Sequence, residues 1–270
     1  MSAIGSVFDK VGSGVHSAIA AASRRTGIDF NYLLGQAQIE SSLNPTAKAA
    51  TSSARGLYQF IDQSWLGVVK QHGAENGLGW AANSIGRNSA GKLCVTDPAA
   101  KNAIMALRDD PQVASLMAAE HASANKAAIE GQLGRPATGT DLYMCHFLGL
   151  AGASKFLSTM QDNPDRAGAT MFPAAARANR NIFFAKDGSA RSLSEIYDRF
   201  AQKLDKGVQL AGGNAASGNL AGQPARNGRS ASTLDQLMAA NNADDRLQAL
   251  LRPTPGSARL AYMMLARLGG

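Results

Sequence analysis

The chain has 270 residues, 45% hydrophobic and 6% aromatic, with 27 Lys and Arg against 20 Asp and Glu for a formal charge of +7. That is enough apolar material for one substantial domain with an appendage, and no run approaches 18 uninterrupted apolar residues, which argues against a transmembrane helix. The charge suits an anionic partner, but the basic residues are scattered, without a Lys/Arg run or a nucleic-acid module, so nucleic acid is not the expected one.

Residues 1–25 place Ile4, Val7, Phe8, Val11, Val15 and Ile19 at amphipathic-helix spacing. They lack a basic segment followed by an apolar core, so they do not read as a signal peptide. A domain is expected from 26 to 206, mainly α because Ala is abundant and alternating β-branched patterning is scarce.

Its first helix lies within residues 28 to 45, and Pro45 and the Ser-Ser-Leu-Asn run before it end that helix just after Glu40. At about 100° per residue, Leu33, Ala37 and Glu40 share one face, flanked by Phe30 and Ser41, so Glu40 points inward. It lies in the last turn, where the negative end of the helix dipole and burial both oppose ionisation. A glutamic acid kept protonated near neutral pH is suited to general-acid work on a poor leaving group such as a sugar oxygen. The alternative is a structural carboxylate paired with an Arg or Lys.

Next come Arg55-Gly56-Leu57-Tyr58-Gln59-Phe60 and Ile61-Asp62-Gln63-Ser64-Trp65. Gly56 permits close backbone approach to a ligand, Tyr58 and Phe60 offer flat apolar faces for sugar rings, and Gln59 carries a donor and an acceptor. A Glu-Ser pair at a helix end followed by Gly-Leu-Tyr-Gln-Phe resembles the catalytic motifs of soluble lytic transglycosylases, bacterial enzymes of lysozyme-like fold that cut peptidoglycan glycan strands. The resemblance spans about Thr26 to Leu204.

Asp62 is expected to cap a helix through Trp65, Val68 and Val69, ended by Gly73 and Gly77. Gly77 to Lys92 reads as a surface loop with a short helix, and Trp80 within it is a candidate sugar contact. Asp97-Pro98 and Asp110-Pro111 each open a helix by the cap-then-Pro signature. In the second of these, Val113, Met117, Glu120, Ala124 and Ala127 form a stripe with a second inward carboxylate at its centre. Glu120 either lies near Glu40, where mutual repulsion favours the protonated acid, or is structural.

The resembled family has an Ala-Tyr-Asn-Ala-Gly run whose Tyr hydrogen-bonds near the catalytic acid. Aligning on Gly149 puts His146 at the Tyr position and Phe147 at the Asn position, a departure from the family pattern. His146 is either the group that orients Glu40 or a satisfied core histidine. Phe172-Pro173 starts another helix, and Ser192 to Glu195 forms a capping box for a helix burying Leu193, Ile196, Tyr197, Phe200 and Leu204.

Cys94 and Cys145 form either one disulfide or two thiols. The four histidines are dispersed, so no metal is expected. Residues 207–232, poor in large apolar groups, read as a flexible linker. Residues 233–270 read as short amphipathic helices split by Pro253 and Pro255, either a tether to a partner or a tail that folds back.

The resemblance implies cleavage of the bond between N-acetylmuramic acid and N-acetylglucosamine. Glu40 protonates the glycosidic oxygen, then takes the proton of the muramic C6 hydroxyl as that oxygen closes a 1,6-anhydro ring. Substrate contacts are expected from Ser41, Tyr58, Gln59, Phe60, Glu120 and His146; the resemblance implies no cofactor, a monomer and residence in the periplasm or cell envelope. The expected route there is signal-peptide-independent export, through a secretion or flagellar machine met by the C-terminal segment, or carriage in a phage particle.

Overall fold

The computed structural model describes residues 3–214, with side chains from Gly14 onward. The expected linker beyond 214 and the C-terminal helices at 233–270 lie outside these residues. The described chain is helical: α1 (Ala3–Thr26), α2 (Phe30–Ser41), α3 (Asp62–His72), α4 (Gly79–Ser84), α5 (Pro98–Ala106), α6 (Pro111–Leu133), α7 (Gly139–Asp162), α8 (Gly168–Met171), α9 (Pro173–Ala178), α10 (Arg180–Phe183) and α11 (Leu193–Leu210). A two-stranded antiparallel hairpin pairs Gly86 with Cys94 and Arg87 with Leu93, its first strand inside the stretch Gly77 to Lys92 expected to be loop and its second just past it.

The helix starts follow local chemistry. The Asp97 and Asp110 carboxylates each accept two backbone N–H groups, ahead of Pro98 and Pro111. Ser192 and Glu195 close the expected capping box, and Thr138 with Asp141 forms a second one, unforeseen, at the start of α7. Asp62 does not cap α3: Ile61 holds that position, and the Asp62 carboxylate binds the Arg108 guanidinium at 2.9 Å instead.

Two apolar clusters form the interior. The larger draws on α1, α2, α6, α7 and α8 to α11; the smaller gathers Trp65, Val69, Ala81, Ile85, Ile104 and Met117 from α3 to α6. Helix α6 serves both, which is why its buried positions, Ala114, Ser115, Met117, Ala118, Ala119, Ala122, Asn125 and Ile129, do not form the expected single stripe. Ala127 of that stripe is exposed and Glu120 is only half-buried.

Two expected boundaries move. Val15, Ile19 and Ala22 of α1 belong to the larger cluster, so the N-terminal helix is part of the domain rather than an appendage before residue 26. Helix α11 continues four residues past the expected end at 206, and Gly207 and Val208 are buried. Gly207 reads as linker by composition but is a packing residue. A Cβ there would lie 2.8 Å from Ile39 Cγ1 and 3.0 Å from the Gly35 carbonyl oxygen, and one on Gly35 would lie 2.5 Å from Val208 Cγ2. The paired glycines let α2 and α11 cross closely.

Both cysteines are free: Cys145 is buried and Cys94 half-buried. Among the described residues no helix is long and apolar enough to cross a membrane.

Candidate active site

Helix α2 is buried on most sides, with Tyr32, Leu33, Leu34, Gly35, Gln36, Ala37 and Ile39 all in the interior. It starts on the Asp29 carboxylate, which accepts the Tyr32 N–H, and ends with Ser42 and Leu43 in the left-handed region at φ 53° and 60°. Left-handed backbone costs a non-glycine residue about 1–2 kcal/mol, and such strain collects at functional sites. Glu40 is the next-to-last residue of α2, its side chain 12% exposed.

Three side chains from later in the chain meet it. His146 Nε2 of α7 is 3.2 Å from Glu40 Oε1. The Tyr143 hydroxyl, one turn earlier on α7, donates to the same carboxylate. Lys203 of α11 adds a positive charge nearby, with its ammonium 5.5 Å from the Tyr143 ring centre. On the far side of the imidazole, Gln36 Nε2 lies 3.3 Å from His146 Nδ1. Past His146, Gly149 breaks α7 at φ 70° and ψ 163°.

These neighbours overturn the expected ionisation of Glu40. Burial pushes its pKa up, but the His146 charge, the His146 hydrogen bond, Lys203 and the Tyr143 hydroxyl together outweigh it and hold the carboxyl below its usual range. At neutral pH the resting group is a carboxylate, not the protonated acid expected from its own helix. The dipole and burial effects are local to α2, whereas the opposing groups arrive from α7 and α11. The residue paired with it at 3.2 Å is a histidine, and Lys203 adds its charge beside that pair.

Several expected ligand contacts prove to be structural. Tyr58 is 1% exposed, so its ring faces no sugar; it fills the core, with its hydroxyl against Ser115. Gln59, at φ 49°, donates its amide nitrogen to the Ala47 and Gly56 carbonyls at 3.2 and 2.9 Å, bracing its own loop. Ser41 Oγ reaches the Ala37 and Leu57 carbonyls at 3.0 and 2.8 Å, so it ties the end of α2 to that loop rather than to Glu40. Gly56 is required at φ 82°, but its close approach is to protein rather than to a ligand, because a Cβ there would collide with the Arg108 carbonyl oxygen. Phe60 alone of the three motif side chains keeps a half-exposed ring, packed on Trp65 at 5.4 Å where the two clusters meet.

Glu120 belongs to another group. It accepts from Asn76 Nδ2 at 3.1 Å and lies 4.0 Å from His72 Nδ1. Among the described residues, the charges and hydrogen bonds acting on Glu40 come from His146, Lys203 and Tyr143, with no second carboxylate. Trp80 is 48% exposed on α4, beside the smaller cluster.

Five contributors escaped the sequence reading. Arg108, its side chain 7% exposed, donates through Nη1 to the Ser53 and Phe60 carbonyls at 2.9 and 3.0 Å and to Asp62, clamping the loop beside Glu40. Arg55 pairs with Asp109 on the same loop. Gln36, four residues before Glu40, carried a signal, since a polar side chain one turn from an inward acid shares its face. Tyr143, three before His146, carried the same signal, and it supplies the tyrosine hydrogen bond that the resemblance had placed at position 146. Lys203 had none, because a lysine on an amphipathic helix ordinarily faces water.

No family model matches the chain. Among the described residues no group of three or more His, Cys, Asp and Glu side chains could hold a metal ion.

Proposed function

We propose that this protein is a peptidoglycan lytic transglycosylase that uses Glu40 as its single acid and base. The observation that carries the reading is Glu40 itself: an inward carboxylate at the strained end of α2, held by Tyr143 and His146 and, among the described residues, without a second carboxylate at its side. The motif resemblance supports the same chemistry. A hydrolytic muramidase generally sets a second carboxylate across from the acid to activate water. A reaction whose nucleophile is the substrate's own C6 hydroxyl needs none.

In this reading the competent form is the Glu40–His146 pair carrying one added proton. The carboxyl gives that proton to the glycosidic oxygen, and the bond opens through an oxocarbenium-like state. The carboxylate left behind, steadied by Tyr143, accepts the C6 hydroxyl proton as the anhydro ring closes, and the pair is reloaded. Because the resting carboxylate must first gain a proton, the rate rises as pH falls and is lost as pH rises past the point where the pair empties.

The test is digestion of purified sacculi followed by mass spectrometry of the released ends. Wild type yields 1,6-anhydromuramic ends and Glu40→Gln yields none. Reducing muramic ends would move the reading to hydrolysis, and undiminished release by Glu40→Gln would end the role given to Glu40, leaving a glycan-binding or assembly component.

A further inference from the structure

We propose that Lys203 is a specificity-determining residue whose ammonium takes a carboxylate of the substrate, so that the site selects anionic muramic-acid glycan over neutral polymers of N-acetylglucosamine. The identity of the glycan rests on the transglycosylase reading above, whereas the place of the ammonium rests on geometry alone.

Lys203 lies on α11, half-buried, three residues after Phe200. Phe200 packs edge-on against the Tyr143 ring at 5.6 Å, and the Lys203 ammonium lies over the same ring, 5.5 Å from its centre. The Tyr143 hydroxyl donates to Glu40, and its ring stacks on His146 at 5.9 Å with 15° between the planes. One tyrosine therefore ties ammonium, imidazole and carboxylate into a single group.

What the ammonium lacks is an acceptor. Arg55, Arg108, Lys126 and Arg135 are also drawn back from solvent, and each sits within ion-pair distance of a carboxylate. Lys203 has no ion pair and no hydrogen-bond partner among the described residues; it meets the Tyr143 face, and Glu40 acts on it through charge alone. Burial draws its pKa down, and Glu40 opposes that. An ammonium has three donors and no acceptor, and an aromatic face offsets only part of the cost of desolvating it. A hydroxyl of a neutral sugar would occupy one donor and leave the charge. A carboxylate occupies the donor and cancels the charge as well.

Strands built with muramic residues carry such carboxylates, on the lactyl side chain where it is free and on the peptide where one is attached; polymers of N-acetylglucosamine carry none. The resting Glu40 carboxylate opposes an arriving anion, and that opposition goes when Glu40 takes up the proton it later gives to the glycosidic oxygen. The form able to cleave is thereby the form that best admits the anion.

The experiment is isothermal titration calorimetry on the full chain carrying Glu40→Gln, which stops turnover and stands in for the protonated acid. Three ligands are titrated: chitotetraose, an N-acetylglucosamine–N-acetylmuramic acid tetrasaccharide with free lactyl carboxylates, and the same tetrasaccharide with its peptides. At least one anionic ligand is expected to bind about tenfold more tightly than chitotetraose, the size of one charge-assisted hydrogen bond, and which of them does so separates the lactyl from the peptide carboxylate. Adding Lys203→Met or Lys203→Gln is expected to remove the preference, and Lys203→Arg to keep it. A merely structural role for Lys203 would weaken all three ligands alike and leave their ratio unchanged. Equal affinity for neutral and anionic ligands, a preference that survives both uncharged variants, or no binding of any of the three overturns the proposal. Anhydro ends released from sacculi by a protein without the preference would refute the Lys203 assignment and keep the transglycosylase reading; the preference in a protein that releases no ends would do the reverse.

Discussion

The closest helix contact beside the site gives a prediction in which two known effects oppose each other. Gly35→Ala adds a methyl group to α2 at a point 2.5 Å from Val208 Cγ2 and 3.2 Å from the Leu204 carbonyl oxygen, whereas ordinary contact begins at 3.4 Å. On helix propensity alone the change stabilises the protein by about 0.8–1.0 kcal/mol. Overpacking a filled interior costs about 1–3 kcal/mol. The upper half of that range applies here, because one obstacle is a stiff β-branched side chain and the other is backbone. The net expectation is a loss of about 1 kcal/mol for Ala, and about 3 kcal/mol or more for Val, whose second methyl has nowhere to go. Urea unfolding followed by circular dichroism measures it, with the midpoint lowered and the slope unchanged. A raised midpoint for Gly35→Ala would refute the close α2–α11 crossing.

Two further outcomes follow from the clamp and from the charge on Glu40. Arg108→Ala leaves the Ser53 and Phe60 carbonyls without a donor and Asp62 without its cation; unfolding stability should fall by about 3 kcal/mol, with glycan cleavage lost alongside, and a drop below about 0.5 kcal/mol would show that the loop holds itself. Glu40 has its pKa depressed in the folded state, so its ionised form stabilises the fold above the ordinary glutamate value of 4.5, and that contribution disappears as pH falls through the lowered value. Relative to Glu40→Gln, wild type should be more stable at pH 7 than at pH 3, and chemical unfolding at the two pH values giving the reverse order would refute the depression.

How much of this was legible in the chain differs by element. Asp97-Pro98, Asp110-Pro111 and Ser192 to Glu195 announce their helices because capping is settled within four residues. Glu40 was legible as an inward acid for a similar reason, since its face is set by its own helix. Its charge was not, because His146, Tyr143 and Lys203 reach it only through the packing of α7 and α11 on α2. Tyr58 and Gln59 show the opposite failure. Their side-chain chemistry suits a sugar, but burial of one and the internal hydrogen bonds of the other are tertiary facts. Gly207 misled through composition, as a glycine in a Gly- and Ala-rich stretch resembles linker until the helix it packs against is known.

The acid and the groups that steady it are far apart along the chain: α2 supplies the first, α7 and then α11 the others. A chain in which α7 and α11 have not packed on α2 therefore carries its glutamate bare, without the imidazole, hydroxyl or ammonium that act on it. On the transglycosylase reading proposed above, glycan cleavage and the packing of α7 and α11 on α2 arise together, so the order of assembly itself acts as a safety catch.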